Sequence, residues 1–428
     1  MNGSGSAGTF LREDEIASIL EKAITDWKLD GKRILVVIPD NTRTCPLDQV
    51  FRILYAQLER RAKTLDFLVA LGTHPPMTPD QILSRVGITK REHEMKYAKA
   101  RFFNHAWKDP AALTKIGSLT AKDVAKTTDG LFEMDVTITC NRMVMDHDLV
   151  LIVGPVFPHE VVGFSGGNKY LFPGIAGKEI IDFFHWLGAV ITNPAIIGRK
   201  HTAVRAVVDR AAALLPVERR AACMVVNDGK LAGLFCGTPE EAWSAAADLS
   251  ATIHIKYTDR LFNTVLSCAP AMYEDLWTGG KCMYKVEPVV ADGGKVIIHA
   301  PHIKEISPVH GHVLHEIGYH TRDFFLKQWD KYKHYPWGVL AHSTHVKGTG
   351  TFENGVERAR IEVILATGIP EEICRKVNLG YMDYKSVNTA DFIDREKQGI
   401  LCVPKAGEIL YKNADCKLPS ADCWKRGK

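Results

Sequence analysis

Apolar residues along this chain follow two periods that take turns. Three early runs, Arg33-Ile-Leu-Val-Val-Ile38, Leu65-Asp-Phe-Leu-Val-Ala70 and Leu149-Val-Leu-Ile-Val153, are short and β-rich. Such runs are typical of strands buried on both faces of a parallel sheet. Between the first two, apolar residues recur at positions 47, 50, 51, 54, 55 and 58, which predicts a one-sided helix. A hairpin is expected over Met224–Phe235, turning at Asn227-Asp228-Gly229, followed by an alanine-rich helix over Glu240–Leu249. Asn263–Ser267, Lys295–His299 and Ala359–Ala366 read as a second strand set. Alternating β and α predicts an α/β fold with mainly parallel sheets. At 428 residues, two α/β domains are expected rather than one growing core. The predicted layout is a flexible tail over 1–10, one domain over 11–258, a second over 259–405, and a C-terminal segment over 406–428 able to return to the first. The active site is expected in the cleft between the domains.

The polar residues that end the early strands change this picture. The first strand runs into Asp40 and Arg43, the second into Gly72-Thr73-His74, and the third into His159. In an open parallel sheet, loops at the carboxyl ends of strands gather ligand-binding groups along one edge. Beyond His159 comes Gly163-Phe-Ser165-Gly166-Gly167-Asn-Lys169, then a helix expected from near Ala176 to Leu187-Gly188 that carries His185. A glycine loop entering a helix presents backbone N–H groups to a phosphate. A lone histidine such as His185 is more often a core residue, and Asp-x-Thr-Arg is more often a solvated turn. Two imidazoles and a lysine around one glycine loop are too many for packing alone. Arg43 suits a planar carboxylate, to which guanidinium donates a fork of two hydrogen bonds.

Composition narrows the function class. The chain is 46% apolar and 24% charged, with 54 basic and 50 acidic side chains without long runs and a net charge of +4. No clustered basic face suggests nucleic-acid binding, and no eighteen-residue apolar stretch suggests a membrane span. Ten cysteines without a C-x-x-C pair point to a reduced, cytoplasmic protein.

Three further motifs have rival readings. Gly163-Phe-Ser165-Gly-Gly167 fits G-x-S-x-G, so a serine hydrolase using Ser165 is an alternative. An elbow serine follows its strand directly, however, whereas ten residues and Pro158 intervene here. Walker A fails, because no glycine precedes either Gly-Lys candidate at the required distance. His315-Glu-Ile-Gly-Tyr-His320 is one residue too long for the zinc-protease H-E-x-x-H helix.

Taken jointly, Asp40-x-Thr-Arg43, Gly72-Thr-His74, Pro158-His159, Gly163-Phe-Ser-Gly-Gly-x-Lys169, Pro-Gly-Ile-Ala-Gly177 and His185 resemble the nickel-pincer lactate racemase family. The resemblance spans residues of about 33–410 and is strongest over 154–185. It implies a cofactor-binding first domain and a nickel-pincer nucleotide, pyridinium-3-thioamide-5-thiocarboxylic acid mononucleotide, covalently linked to Lys169. It further implies His185 as the protein ligand to nickel and His74 and His159 as the general acid–base pair. Asp40, Arg43, Ser165, Gly166, Gly167 and Trp277 would hold the cofactor, and Arg43, Thr278, Lys281 and Trp337 would hold substrate. The implied activity is racemisation or epimerisation of a 2-hydroxy acid by reversible hydride transfer, with cofactor-synthesis enzymes as transient partners. A non-catalytic nickel-pincer carrier is a second alternative. Two departures from the family pattern, Pro75 where arginine is usual and Thr278 where glutamine is expected, imply a substrate larger than lactate. A sugar acid or an aromatic hydroxy acid is expected, with Trp337 as a pocket wall and the histidines of 302–345 as possible polar contacts.

Overall fold

The computed structural model describes residues 1–414; the polar tail beyond Ala414, with Cys416 and Cys423, lies outside the described residues. The chain divides into two compact units. The first comprises residues 1–157, 164–181 and 200–253, and the second residues 158–163, 182–199 and those from 254 onward.

The first unit is built on a seven-stranded sheet of β1 (Asn2–Gly5), β2 (Arg33–Pro39), β3 (Thr64–Ala70), β4 (Ala100–Asn104), β5 (Leu149–Pro155), β6 (Glu218–Asn227) and β7 (Lys230–Gly237). The strand order is β1-β7-β6-β5-β2-β3-β4. The five strands from β6 to β4 are parallel, and β7 and β1 add antiparallel pairs at one edge. Ile34, Val36 and Ile38 of β2 join Leu149, Leu151 and Val153 of β5 in one core with Val50, Phe51 and Leu54 of helix Leu47–Leu58. The intervening Leu35, Val37, Val150 and Ile152 are equally buried on the other face. Burial on both sides explains why these strands read as unbroken apolar runs. The six apolar helix positions expected between 47 and 58 are all buried. The hairpin turns at Asp228-Gly229, both at positive φ (47° and 76°), as a two-residue turn of this hand requires.

The second unit holds an all-parallel five-stranded sheet of β8 (Phe262–Cys268), β9 (Val290–Ala300), β10 (Glu362–Thr367), β11 (Gly380–Tyr381) and β12 (Ile400–Val403), in the order β11-β10-β9-β8-β12. The α/β class with mainly parallel sheets is as expected.

Three expectations on layout need correction. Residues 2–5 are not a free tail, because they pair with residues 233–236 of β7. Small side chains allow that approach: a Cβ on Gly5 would lie 2.6 Å from Gly233 Cα. The boundary near 258 is not a single cut, since 158–163 and 182–199 group with the second unit. Among the described residues, the C-terminal segment stays within the observed second unit: Leu410–Asn413 pairs in parallel with Ile255–Thr258, which were expected in the first domain but group with the second. The helix after the glycine loop, Lys178–Ile191, also runs past Gly188. That glycine does not end the helix but admits Val161, whose Cγ1 would lie 2.8 Å from an added Cβ.

Candidate active site

In the first unit, the carboxyl ends of β2 and β3 bring Asp40, Arg43 and His74 together. Asp40 is 4% exposed, and its Oδ2 lies 2.5 Å from His74 Nδ1. Its Oδ1 accepts from the backbone N–H of Thr42 at 3.1 Å and from the Thr42 hydroxyl at 2.7 Å. Burial opposes ionisation of this carboxyl, but His74, Arg43 and Thr42 outweigh it and hold it well below the usual carboxylate range. A carboxylate on Nδ1 fixes the ring and leaves Nε2 for proton exchange. Asp40, expected at the cofactor, is thus first of all the partner of His74.

The segment that follows the glycine loop is anchored on the same edge, where Gly72 N–H donates to Gly174 O at 2.9 Å, and Gly174 N–H in turn donates to Lys169 O at 3.2 Å. Gly166 (φ 86°, ψ 178°) and Gly167 (φ 56°) adopt backbone that side chains disfavour. A Cβ on Gly166 would meet Val156 Cγ2 at 2.5 Å, and one on Gly167 would meet Trp243 Cβ at 2.8 Å. Both glycines are therefore required by packing. Arg205, buried and stacked 4.0 Å over the Trp243 ring, donates to Phe164 O and Gly166 O. Burial lowers this guanidinium to about 10. Asn168 donates to Asp209 at 2.9 Å and Glu240 at 2.7 Å and accepts from Arg219 at 2.9 Å. Lys169 is half-buried in the single turn Gly167–Tyr170 on this rigid base. The Tyr170 phenol is held well above its usual value by burial and lies near Cys45, Arg43, Arg85 and Asp40. Arg85 braces the Arg43 loop by donating to Arg43 O at 2.8 Å.

Ser165 is 7% exposed. Its Oγ accepts from Phe157 N–H at 2.9 Å and donates to Pro155 O at 3.4 Å. This hydroxyl staples the loop and has the geometry of neither a nucleophile nor a ligand clamp.

In the second unit, His159 is 9% exposed, with Nδ1 3.1 Å from Val161 N and 3.3 Å from Glu160 Oε2. His185 is half-buried, near Gly338, whose N–H donates to Asp182 at 2.9 Å. Trp277 lies between two imidazoles, His310 and His342, each with its ring centre 4.2 Å away. His342 is pushed well below its usual value by burial and by His345, His310 and His185. Lys281 sits 4.4 Å over the Tyr273 ring. Thr278 has its hydroxyl turned to Asp275 at 2.7 Å as part of a helix cap, which leaves it a poor candidate for gripping substrate. Trp337 Nε1 donates to Lys333 O, and its ring neighbours Trp329, itself stacked on Trp186. His320 lies beyond the helix of His315, bound to Glu357 at 2.7 Å, so the pair is no zinc-protease site.

Residues 12–197 match the model of the lactate racemase N-terminal domain. Curated lactate racemases from Thermoanaerobacterium thermosaccharolyticum and Lactiplantibacillus plantarum are 24% and 27% identical over 67% and 55% of this chain. The matched stretches span 65% and 53% of those relatives' own lengths. A crystal structure of a Thermotoga maritima protein is 34% identical with a TM-score of 0.87, covering 95% of this chain and 99% of its own. Residues 12–197 are therefore a domain of the lactate racemase N-terminal type, and the chain is lactate racemase-like. The apoprotein structure of the T. thermosaccharolyticum lactate racemase shares the fold, with a TM-score of 0.70 at 16% identity and 93% of each chain covered.

The family's nickel-bearing group can be tested against these residues. Among the described residues, no three His, Cys, Asp or Glu side chains lie close enough to hold a metal by themselves. A site of one histidine whose other donors arrive with a chelating cofactor needs no such cluster. A lysine on an immobilised loop suits a covalent tether, so the residues fit the group.

Sequence reasoning did not find Glu160, Arg85, Arg205 or Trp243. Glu160 was adjacent to a named histidine, and that adjacency was the available signal. Arg205 and Trp243 meet the loop only through the fold.

Proposed function

We propose that this protein is an isomerase, a racemase or epimerase of a 2-hydroxy acid larger than lactate, working with a nickel-pincer nucleotide on Lys169. The observation that carries this reading is the buried Asp40–His74 pair, 2.5 Å apart, on the strand edge that also anchors the Lys169 loop, in a chain of this family. When bound, the group supplies an electron-poor acceptor for the hydrogen on C2. The protein's own part is proton transfer and orientation. His74, held at Nδ1 by Asp40, takes the hydroxyl proton at Nε2, and the ionised Asp40 stabilises the resulting imidazolium. His159 is the second acid–base group, which inversion in both directions requires. Arg43 and Lys281 are assigned to the substrate carboxylate, and His185 is assigned to nickel. A larger acid is supported by Pro75 and by Thr278, whose hydroxyl is engaged by Asp275. A hydrolase is disfavoured by the inward bonds of Ser165, and a mere carrier has no use for an Asp–His pair.

The test is co-expression with pincer-synthesis enzymes, followed by peptide mass analysis, nickel determination and exchange of the α-hydrogen across lactate, aldonic and aromatic 2-hydroxy acids. An adduct on the Lys169 peptide and exchange favouring a larger acid are expected. His185→Ala is expected to lose nickel with an unchanged circular dichroism spectrum. An adduct on another lysine, or lactate turning over as well as the best larger acid, would refute the corresponding assignment.

A further inference from the structure

His159 has two neighbours that compete for the same ring nitrogen. Glu160 Oε2 lies 3.3 Å from Nδ1, and the Val161 N–H points at it from 3.1 Å. A backbone N–H donates only to an unprotonated Nδ1, whereas a carboxylate accepts only from a protonated one. The two contacts therefore belong to different neutral tautomers. With Val161 engaged, the ring proton sits on Nε2, which can then only donate. With Glu160 engaged, it sits on Nδ1, and Nε2 is left with a lone pair able to take a proton. The His159 and Glu160 side chains are only 11% and 15% exposed, so water screens the contest weakly. Glu160 also faces His345, on the helix Trp337–Lys347. Burial pushes His345 down to about 4, so no imidazolium there neutralises the carboxylate.

We propose that Glu160 is a positioning residue for His159. Its carboxylate draws the ring proton onto Nδ1 and makes Nε2 a proton acceptor, while the Val161 N–H stabilises the donor form. A residue that takes a hydroxyl proton in one direction of an inversion and returns it in the other has use for both forms. The functional part of this inference rests on the racemase reading above; the tautomer contest itself does not. His74, with Asp40 2.5 Å from its Nδ1, has the acceptor form favoured from the outset.

The experiment is nitrogen-15 NMR of the full chain labelled at histidine. It is recorded above pH 8, well past the ordinary imidazole value of about 6.5, with His159 assigned by its loss in His159→Gln. In the wild type, Nδ1 of His159 should resonate as a protonated nitrogen for a major share of the population. In Glu160→Ala it should move to the unprotonated position, and in Glu160→Gln, whose amide oxygen still accepts, it should move only part of the way. Turnover of the loaded enzyme should fall tenfold or more in Glu160→Ala, with KM changed less than threefold. An unprotonated Nδ1 in the wild type overturns the proposal, as does a tautomer indifferent to Glu160→Ala or, if that variant does not fold, to Glu160→Gln. An inactive loaded wild type with the tautomer shift intact would instead overturn the racemase reading alone.

Discussion

Gly166→Ala asks what the glycine loop is for. The residue stands at φ 86° and ψ 178°, a conformation close to glycine-only that costs any other residue on the order of 1–3 kcal/mol. The added methyl would sit 2.5 Å from Val156 Cγ2 and 3.2 Å from Pro155 O. Overpacking of a closed core adds roughly 1–3 kcal/mol. Together the variant should lose about 2–6 kcal/mol. For a domain of 150–250 residues that lowers Tm by about 4–24 °C, at roughly 2–4 °C per kcal/mol. Differential scanning calorimetry of the cofactor-free protein reads this directly. Adding Val156→Ala removes the methyl nearest the clash, so the double variant should recover about 1–3 kcal/mol relative to additivity. The backbone strain should persist. The reasoning fails if cofactor-free Gly166→Ala melts within about 1 °C of the wild type and loses only cofactor attachment. The glycine would then serve the ligand and not the loop.

Asp40→Asn should fold and lower kcat by roughly two to four orders of magnitude; activity within a few-fold of the wild type would remove Asp40 from the proton path. Because the folded carboxyl lies below its unfolded value of about 3.9, its stabilisation is complete above that value and fades as pH falls through and below it. The wild type's stability margin over Asp40→Asn in urea should therefore shrink from pH 5 to pH 3, and a margin independent of pH would contradict the assignment. His105 is 2% exposed and held by burial at about 4, so the unfolded chain binds the extra proton first as pH drops below about 6.5. Stability should fall by up to about 3 kcal/mol between pH 6.5 and 4, and an undiminished slope in His105→Gln would refute this. Ser165→Ala leaves Phe157 N–H unmatched and should cost about 1–3 kcal/mol while sparing racemase turnover. An esterase activity that vanished in this variant would reverse the reading of the loop.

The sheet strands were legible because strands covered on both faces must be apolar at every position, as in β2 and β5. The helix at 47–58 was legible because it is covered on one side. Asp40, Arg43 and His74 were legible as neighbours because parallel strands end on a common edge. Their division of labour was not, since the 2.5 Å contact depends on loop conformation, which has no sequence period. The strand over residues 2–5 was missed because glycine and serine carry no β signal; its register comes from what it lies against. Arg205 stacks on Trp243 across 38 positions of sequence (243 minus 205), a pairing that only tertiary structure creates.

The chain enters the second unit three times, at 158–163, at 182–199 and from 254 onward. During synthesis at about 5–20 residues per second, His159 and His185 leave the ribosome roughly 3–20 s before residue 254, where the rest of their unit begins. The first unit is equally unfinished until β7 arrives to receive residues 2–5. A stretch such as 12–197, which matches the lactate racemase N-terminal domain, lacks β6 and β7, and a cut after residue 253 keeps every residue of the first unit but strips 158–163 and 182–199 from the second. The second unit therefore cannot be expressed from any contiguous piece of gene that leaves out the first, because two of its segments lie inside the first unit's span.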